Sequence, residues 1–201
     1  MMQKSVHRPL VLASTSLYRK ELLGRLHLAF DTAAPGVDET PLPDEKPAEL
    51  AARLALTKAR AVADIRPNCV VIGSDQVADL YGIPLGKPGN FERAKAQLRQ
   101  MRGKTVVFQT AMAVVCIQTG YCAQALVPVH VRYRCFSDAE IDHYLHREQP
   151  FDCAGSSKSE GLGIAMMESI ANDDPTALIG LPLIRLCTML RGAGIAVMGT
   201  L

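Results

Sequence analysis

The chain has 201 residues, 48% of them hydrophobic and 21% charged, with a formal net charge of +2. That length supplies a large core in one domain, or in one domain with two lobes about a central cleft, without disulfide support. So small a positive excess argues against attraction to nucleic acid or anionic membrane by bulk charge, and leaves basic residues to act through placement.

Near the N-terminus, basic residues precede "PLVLA" (9–13), an apolar stretch too short for a signal h-region or a membrane span. Residues 10–13 are expected to form a strand and 16–28 a helix, with Tyr18, Leu22, Leu23 and Leu26 at helical spacing. A short strand over 29–34 leads into a loop rich in acid and proline. Residues 47–66 read as a long amphipathic helix with Pro47 in its first turn, where a missing N–H is tolerated. The next segment, "VVIGSDQVADL" (70–80), begins as a buried strand and then places Gly73, Ser74, Asp75 and Gln76 before the apolar run resumes at Val77. An unpaired carboxylate buried there is costly, so Asp75 needs a partner, a proton or a cleft. The expectation is that Asp75 interrupts the strand at an end that faces a cleft.

A turn over 81–90 precedes a helix over 91–101, capped by Asn90. Two β-branched runs, 104–118 and 125–134, flank "TGYC", a hairpin connection. Ser137 and Glu140 make a capping box that opens another helix. The C-terminal third contains "GLGIAMMESI", "TALIG" and a helix in "LPLIRLCTMLRG", and the apolar tail 193–201 receives no assignment. Helices alternate with strands, but with at least one long hairpin. That predicts an α/β fold whose central sheet is mixed, partly antiparallel and flanked by helices. The six cysteines (Cys69, Cys116, Cys122, Cys135, Cys153 and Cys187) lack CxxC spacing and mostly lie in apolar runs. They read as reduced thiols in a cytoplasmic protein.

Several motifs carry chemistry. In "LASTSLYRK" a strand ends in three hydroxyl residues where a helix begins, a layout that presents backbone N–H groups to an anion. Ser14 and Ser16 also serve as helix caps on that pattern. Arg19 and Lys20, however, sit where the helix dipole disfavours cations by about 0.3–1 kcal/mol, and a bound phosphate reverses that sign. Lys87, between Gly86 and Pro88, and Lys58, at the border of an apolar helix stripe, are either solvated lysines or further phosphate ligands. The segment "GSSKSEGLG" (155–163) is a surface loop or a backbone able to wrap a small ligand. Asp38 and Glu39, with Asp75, offer oxygen ligands for Mg²⁺ or Mn²⁺. His143 and His146 share a helix face without a third zinc ligand, and His7, His27 and His130 are isolated.

Together, "LASTSLYRKELL", "VDET", "LTKARA", "VIGSDQV", "GKP", "GSSKSEGLG" and "IGLPL" resemble, in order and approximate spacing, the Maf family of nucleoside triphosphate pyrophosphatases. The resemblance covers about residues 9 to 192. It implies a cytoplasmic α/β fold similar to inosine triphosphate pyrophosphatases, often dimeric, that splits a nucleoside triphosphate into monophosphate and pyrophosphate with a divalent metal. In that pattern Asp75 is the proton acceptor, and the helix-start arginine and the two lysines fall on Arg19, Lys58 and Lys87. The mechanism expected here has those cations hold the triphosphate with the backbone N–H groups after Ser14, and Mg²⁺ or Mn²⁺ held partly by Glu39 or Asp75.

The branch of the family acting on dTTP and UTP usually reads S-P-R-R at the first helix, with Thr after the strand aspartate. Here Leu17, Tyr18 and Gln76 stand instead, and with "KSEG" around Glu160 they resemble the branch that hydrolyses N7-methyl-GTP. The chemistry fits. N7-methylation makes guanine cationic, so the face of Tyr18 gains roughly 0.5–2 kcal/mol of cation–π attraction. Glu160 can accept from the N1–H and N2–H₂ edge of guanine, and Gln76 can donate or accept at the base or the attacking water. The expected partner is a small nucleotide, with neither nucleic acid nor membrane. The competing readings are a dTTP/UTP pyrophosphatase and a non-catalytic nucleotide-binding regulator of cell division. Aromatics at 5% disfavour a nucleic-acid binder, which wants a basic stripe with exposed aromatics.

Overall fold

The computed structural model describes residues 8–199, so Lys4, His7 and the last two residues of the tail lie outside it. The elements are β1 (Leu10–Ala13), α1 (Leu17–Gly24), β2 (Phe30–Ala33), α2 (Pro47–Ile65), β3 (Val70–Leu80), β4 (Ile83–Leu85), α3 (Phe91–Met101), β5 (Thr105–Cys116), β6 (Tyr121–Tyr133), α4 (Asp138–Glu148), β7 (Met167–Ala171) and α5 (Leu183–Gly192). The seven strands form one sheet in the order β2-β1-β3-β5-β6-β7, with β4 folded back on the far end of β3. β1 pairs in parallel with β2 and β3, whereas β3, β5, β6 and β7 pair antiparallel. The sheet is therefore mixed, as the alternation of helices with one long hairpin predicts.

Three differences from the sequence reading have physical causes. The turn over 81–90 contains β4, because Tyr81 (φ 57°) and Gly82 (φ 86°) adopt left-handed backbone and reverse the chain tightly. β6 starts at Tyr121, earlier than its β-branched run, since the alternation of half-buried Tyr121, Ala123 and Ala125 with exposed residues continues the strand without branching. α1 ends at Gly24, and Leu26 and Leu28 reach the core from the loop that follows.

The helices cover both faces of the sheet. α2 packs through Ala59, Val62 and Ala63 on Val11, Val71 and Ala113. α1 and α5 pack through Leu22, Leu23, Leu186 and Leu190 on Leu10, Leu12, Val70 and Ile72. A second core joins α3 and α4 to the distal halves of β3, β5 and β6 around Phe108, Tyr133, Phe136 and Tyr144. Among the described residues no helix is long and apolar enough to cross a membrane, and the six cysteines are free thiols.

β3 holds the main correction. It is unbroken for 11 residues, and Asp75 lies mid-strand rather than at a strand end. Its neighbour is what stops: β1 pairs with β3 only from Leu10↔Val70 to Ala13↔Gly73. From Ser74 to Val77, before β4 takes up the pairing at Ala78↔Leu85, that edge of β3 faces a crevice outside the carboxyl end of β1, where the chain order switches. Open α/β sheets bind ligands at such points.

Candidate active site

A cleft of about 730 Å³ opens there. Of the nine residues assigned a site role from the sequence, eight line it: Ser14, Tyr18, Arg19, Glu39, Lys58, Gln76, Lys87 and Glu160. Asp75 lies just behind the wall, 7% exposed, hydrogen-bonded to Lys58. Lys20 and Asp38 do not join the wall, and Asp38 instead accepts from the Thr40 amide at 2.9 Å.

Period-two alternation along β3 sorts this chemistry onto two faces. Gly73 and Asp75 point toward α2. There Lys58 Nζ lies 2.6 Å from Asp75 Oδ1 and 2.8 Å from Glu39 Oε1, so one ammonium bridges two carboxylates. Burial by itself pushes the Glu39 pKa up, but the hydrogen bond and charge of Lys58, helped by Lys87 and Arg19, outweigh it and leave the carboxyl below its ordinary value. The two carboxylates thus converge on one point. A Mg²⁺ or Mn²⁺ ion takes one or two carboxylates beside phosphate oxygens and water, so this pair fits such an ion. Among the described residues no group of three or more His, Cys, Asp or Glu side chains is arranged to hold a metal alone.

α2 comes close enough for this contact because small residues meet. A Cβ on Gly73 would overlap the Ala55 carbonyl oxygen and lie 2.6 Å from the Ala59 amide nitrogen. The helix backbone therefore rests on the strand backbone, one turn from Lys58. The loop that brings in Glu39 is braced by Arg53, which donates to Glu45 at 2.5 and 2.8 Å and to the Thr40 carbonyl at 3.1 Å. The Arg53 hydrogen bond, chief among the causes, holds the Glu45 carboxyl down to about 2. A depressed folded pKa contributes stability above the unfolded value of about 4.5 and loses it as pH falls toward 2. Arg53→Met is accordingly expected to melt below the parent at pH 7, and thermal scans should show the gap closing between about pH 4.5 and pH 2.

Ser74 and Gln76 point to the opposite face, against the segment 174–183. Ser74 Oγ lies 2.9 Å from the Gly180 carbonyl, to which Arg19 Nε also donates at 3.0 Å. The Gln76 amide nitrogen faces three acceptors, Thr110 Oγ1 and the carbonyls of Ala177 and Leu178, at 2.8–3.1 Å. Its two hydrogens are therefore committed, and only its oxygen is left for a ligand. The sequence leaves Gln76 free to donate or accept; in the structure its donors are used and its oxygen is the atom left to accept. Asp174, buried, holds the segment by accepting from Thr176 and from the Arg185 amide in the first turn of α5.

At the mouth of the cleft, Ser14 Oγ accepts from the Ser16 amide and Ser16 Oγ from the Arg19 amide. Ser16 is thus the helix cap and Ser14 closes a local turn before it, and the amides of Thr15, Leu17 and Tyr18 remain without an internal partner among the described residues. Burial pulls the Arg19 pKa down, opposed by Asp75 and Glu39. Glu21, Asp152 and Cys153, to which the sequence reading gives no site role, also line the cleft, and Asp152 and Cys153 group there with Tyr18 and Glu160. Burial first, then Cys153 and Asp152, push the Tyr18 hydroxyl up to about 12, and burial with Asp152 does the same to the Cys153 thiol. Lys158, from outside the wall, sets its ammonium 5.6 Å from the Tyr18 ring centroid and pairs with Glu148 at 3.1 Å. The "GSSKSEGLG" loop is therefore anchored rather than loose.

The profile of the Maf-like protein family matches residues 9–193. A protein of Polaromonas sp. called 7-methyl-GTP pyrophosphatase is 68% identical over 189 residues, 94% of this chain and 86% of the relative. Its namesake from Albidiferax ferrireducens is 61% identical over 198 residues, 98% of this chain and the whole of the relative. A third, of the same name, from Burkholderia pseudomallei is 52% identical over 94% of this chain and 90% of its own length.

Proposed function

The chain belongs to the Maf-like protein family, and from that premise we propose that it is a nucleoside triphosphate pyrophosphatase converting N7-methyl-GTP to N7-methyl-GMP and pyrophosphate. The observation that carries the reading is the polarity of one cleft. Arg19, Lys58 and Lys87 gather around Glu39 and Asp75, whereas Tyr18, Asp152, Cys153 and Glu160 form a second group, with Lys158 beside the Tyr18 ring. A nucleotide whose base is cationic and rich in donors matches that polarity along its length. N7-methylguanine supplies both the positive charge, for the Tyr18 ring and the carboxylates, and the N1–H and N2–H₂ donors, for Glu160 and the Gln76 oxygen.

In this reading the triphosphate lies along Arg19, Lys58, Lys87 and the free amides after Ser14. Asp75 takes a proton from a water whose oxygen bonds to the α-phosphorus. The α–β phosphoanhydride bond breaks, the nucleoside monophosphate forms, and pyrophosphate leaves against the three cations, whose preorganised charge stabilises it. Glu39 and Asp75 are the residues that would hold Mg²⁺ or Mn²⁺, an ion that supplies further charge neutralisation at the phosphates when bound. The enzyme would act in the cytoplasm, removing a modified nucleotide.

The test is pyrophosphate release with Mg²⁺ or Mn²⁺ from N7-methyl-GTP, GTP, dTTP, UTP, CTP and ITP. N7-methyl-GTP is expected to be the best substrate. Glu160→Gln should then lower kcat/KM for it by roughly 10- to 100-fold, with far smaller effects on UTP and dTTP. If dTTP or UTP is hydrolysed fastest by the parent, this account of base recognition is wrong. Release from none of them would bring forward the reading as a non-catalytic nucleotide-binding regulator.

A further inference from the structure

Two loops from distant parts of the chain reach the cleft, and one side chain outside the cleft joins them. Residues 86–89, between β4 and α3, carry Lys87, and residues 152–160, after α4, carry Asp152, Ser157 and Glu160. Gln97 of α3 stands between the loops and is absent from the cleft wall. Its Nε2 donates to the Gly86 carbonyl at 3.0 Å, and its Oε1 accepts from Ser156 Oγ at 2.5 Å. The backbone adds one more tie, from the Gly89 amide to the Phe151 carbonyl at 2.9 Å.

The bend at Ser156 makes the contact more than incidental. Ser156 has φ 54° and is fully buried, directly after Gly155 at φ 64°. Left-handed backbone is unfavourable for a residue with a β-carbon, and it persists where neighbours over-determine it. Here those neighbours are the Cys153 carbonyl, which accepts from the Ser156 amide, and Gln97. Gln97 in turn is fixed by a helix whose Ala94, Leu98 and Met101 are wholly buried. A carboxamide suits the task because one end of the side chain offers both an acceptor and a donor.

We propose that Gln97 is a positioning residue that couples the base-facing loop to the loop carrying Lys87, so that seating the base sets the lysine on the phosphates. The inference rests on the nucleotide cleft proposed above. Gln97→Leu removes both bonds. Gln97→Glu keeps an acceptor for Ser156 but turns a carboxylate toward the Gly86 carbonyl.

The test is a double-mutant cycle, Lys87→Met against Glu160→Gln, in the parent, Gln97→Leu and Gln97→Glu backgrounds. It is read as kcat/KM on whichever nucleotide the parent hydrolyses fastest. In the parent, the double mutant is expected to depart from the product of the single effects by about threefold or more. In both Gln97 backgrounds, the effects should multiply to within about twofold. A merely structural role would lower all rates together and leave the coupling factor unchanged. The same factor in all three backgrounds, or none in the parent, overturns the proposal. If the parent hydrolyses no nucleotide, the functional reading has failed, and the same cycle is read from affinities for N7-methyl-GTP with the same criteria.

Discussion

Asp75→Asn is expected to lower kcat for pyrophosphate release by about 10²- to 10⁴-fold, the usual contribution of a positioned general base, while leaving the protein folded. The retained fold is expected because of Lys58. Deleting one partner of a buried ion pair normally strands the other at a cost of about 3–5 kcal/mol. Lys58, however, keeps Glu39 at 2.8 Å, and an asparagine oxygen can still accept from its ammonium. The thermal midpoint should therefore move by only a few degrees while the proton acceptor is gone. Turnover within about tenfold of the parent would mean that another group takes the proton. A variant that loses both activity and cooperative melting would mean that the Asp75–Lys58 pair is chiefly structural. The combination Asp75→Asn with Glu39→Gln leaves Lys58 without a carboxylate partner, and that combination is where the fold is expected to suffer.

The mixed sheet was legible because its signals are local and repeat. Val70, Val71 and Ile72 show a strand covered on both faces, and the apolar stripe of α2 shows a helix of 19 residues. The cationic side of the cleft was legible too, because Arg19 and Lys20 contradict the dipole of their own helix and so ask for an anion. That argument could not choose between them. The structure does, by setting Arg19 in the cleft wall, held by its bond to the Gly180 carbonyl, and leaving Lys20 outside that wall.

What stayed hidden depends on contacts far apart in the chain. Asp152 and Cys153 sit in a turn with no periodicity to read, and they become part of the cleft only because the loop after α4 folds back beside α1. The carbonyls that fix Gln76 belong to residues about 100 positions later, held in place by Asp174. A buried acid near a helix start is a detectable cap signal, but the distance from Asp174 to α5 is longer than the usual three-residue spacing. Asp75 was misjudged for a related reason. Within its own segment it reads as a strand end, whereas the end belongs to β1, and nothing in residues 70–80 records where a neighbouring strand stops.

Gly73→Ala is expected to be the most damaging conservative change in the chain, at about 3 kcal/mol or more. For a chain of 201 residues, that corresponds to a fall of roughly 6–12 °C in the thermal midpoint. The new methyl would overlap the Ala55 carbonyl oxygen, and backbone inside a packed helix cannot step aside as a side-chain tip can. α2 must then lift from β3, and with it Lys58, which sits between Ala55 and Ala59 along the same helix. Displacing a catalytic group by about 1 Å costs on the order of 100-fold in rate, so activity should fall along with stability. Ala59→Gly supplies the control. It removes the Ala59 Cβ, 2.9 Å from the added methyl, but leaves the Ala55 oxygen in place, so it should not rescue Gly73→Ala. Rescue by Ala59→Gly would show that side-chain crowding, not contact between two backbones, sets the spacing of helix and strand. The placement of Lys58 against Asp75 would then need another cause.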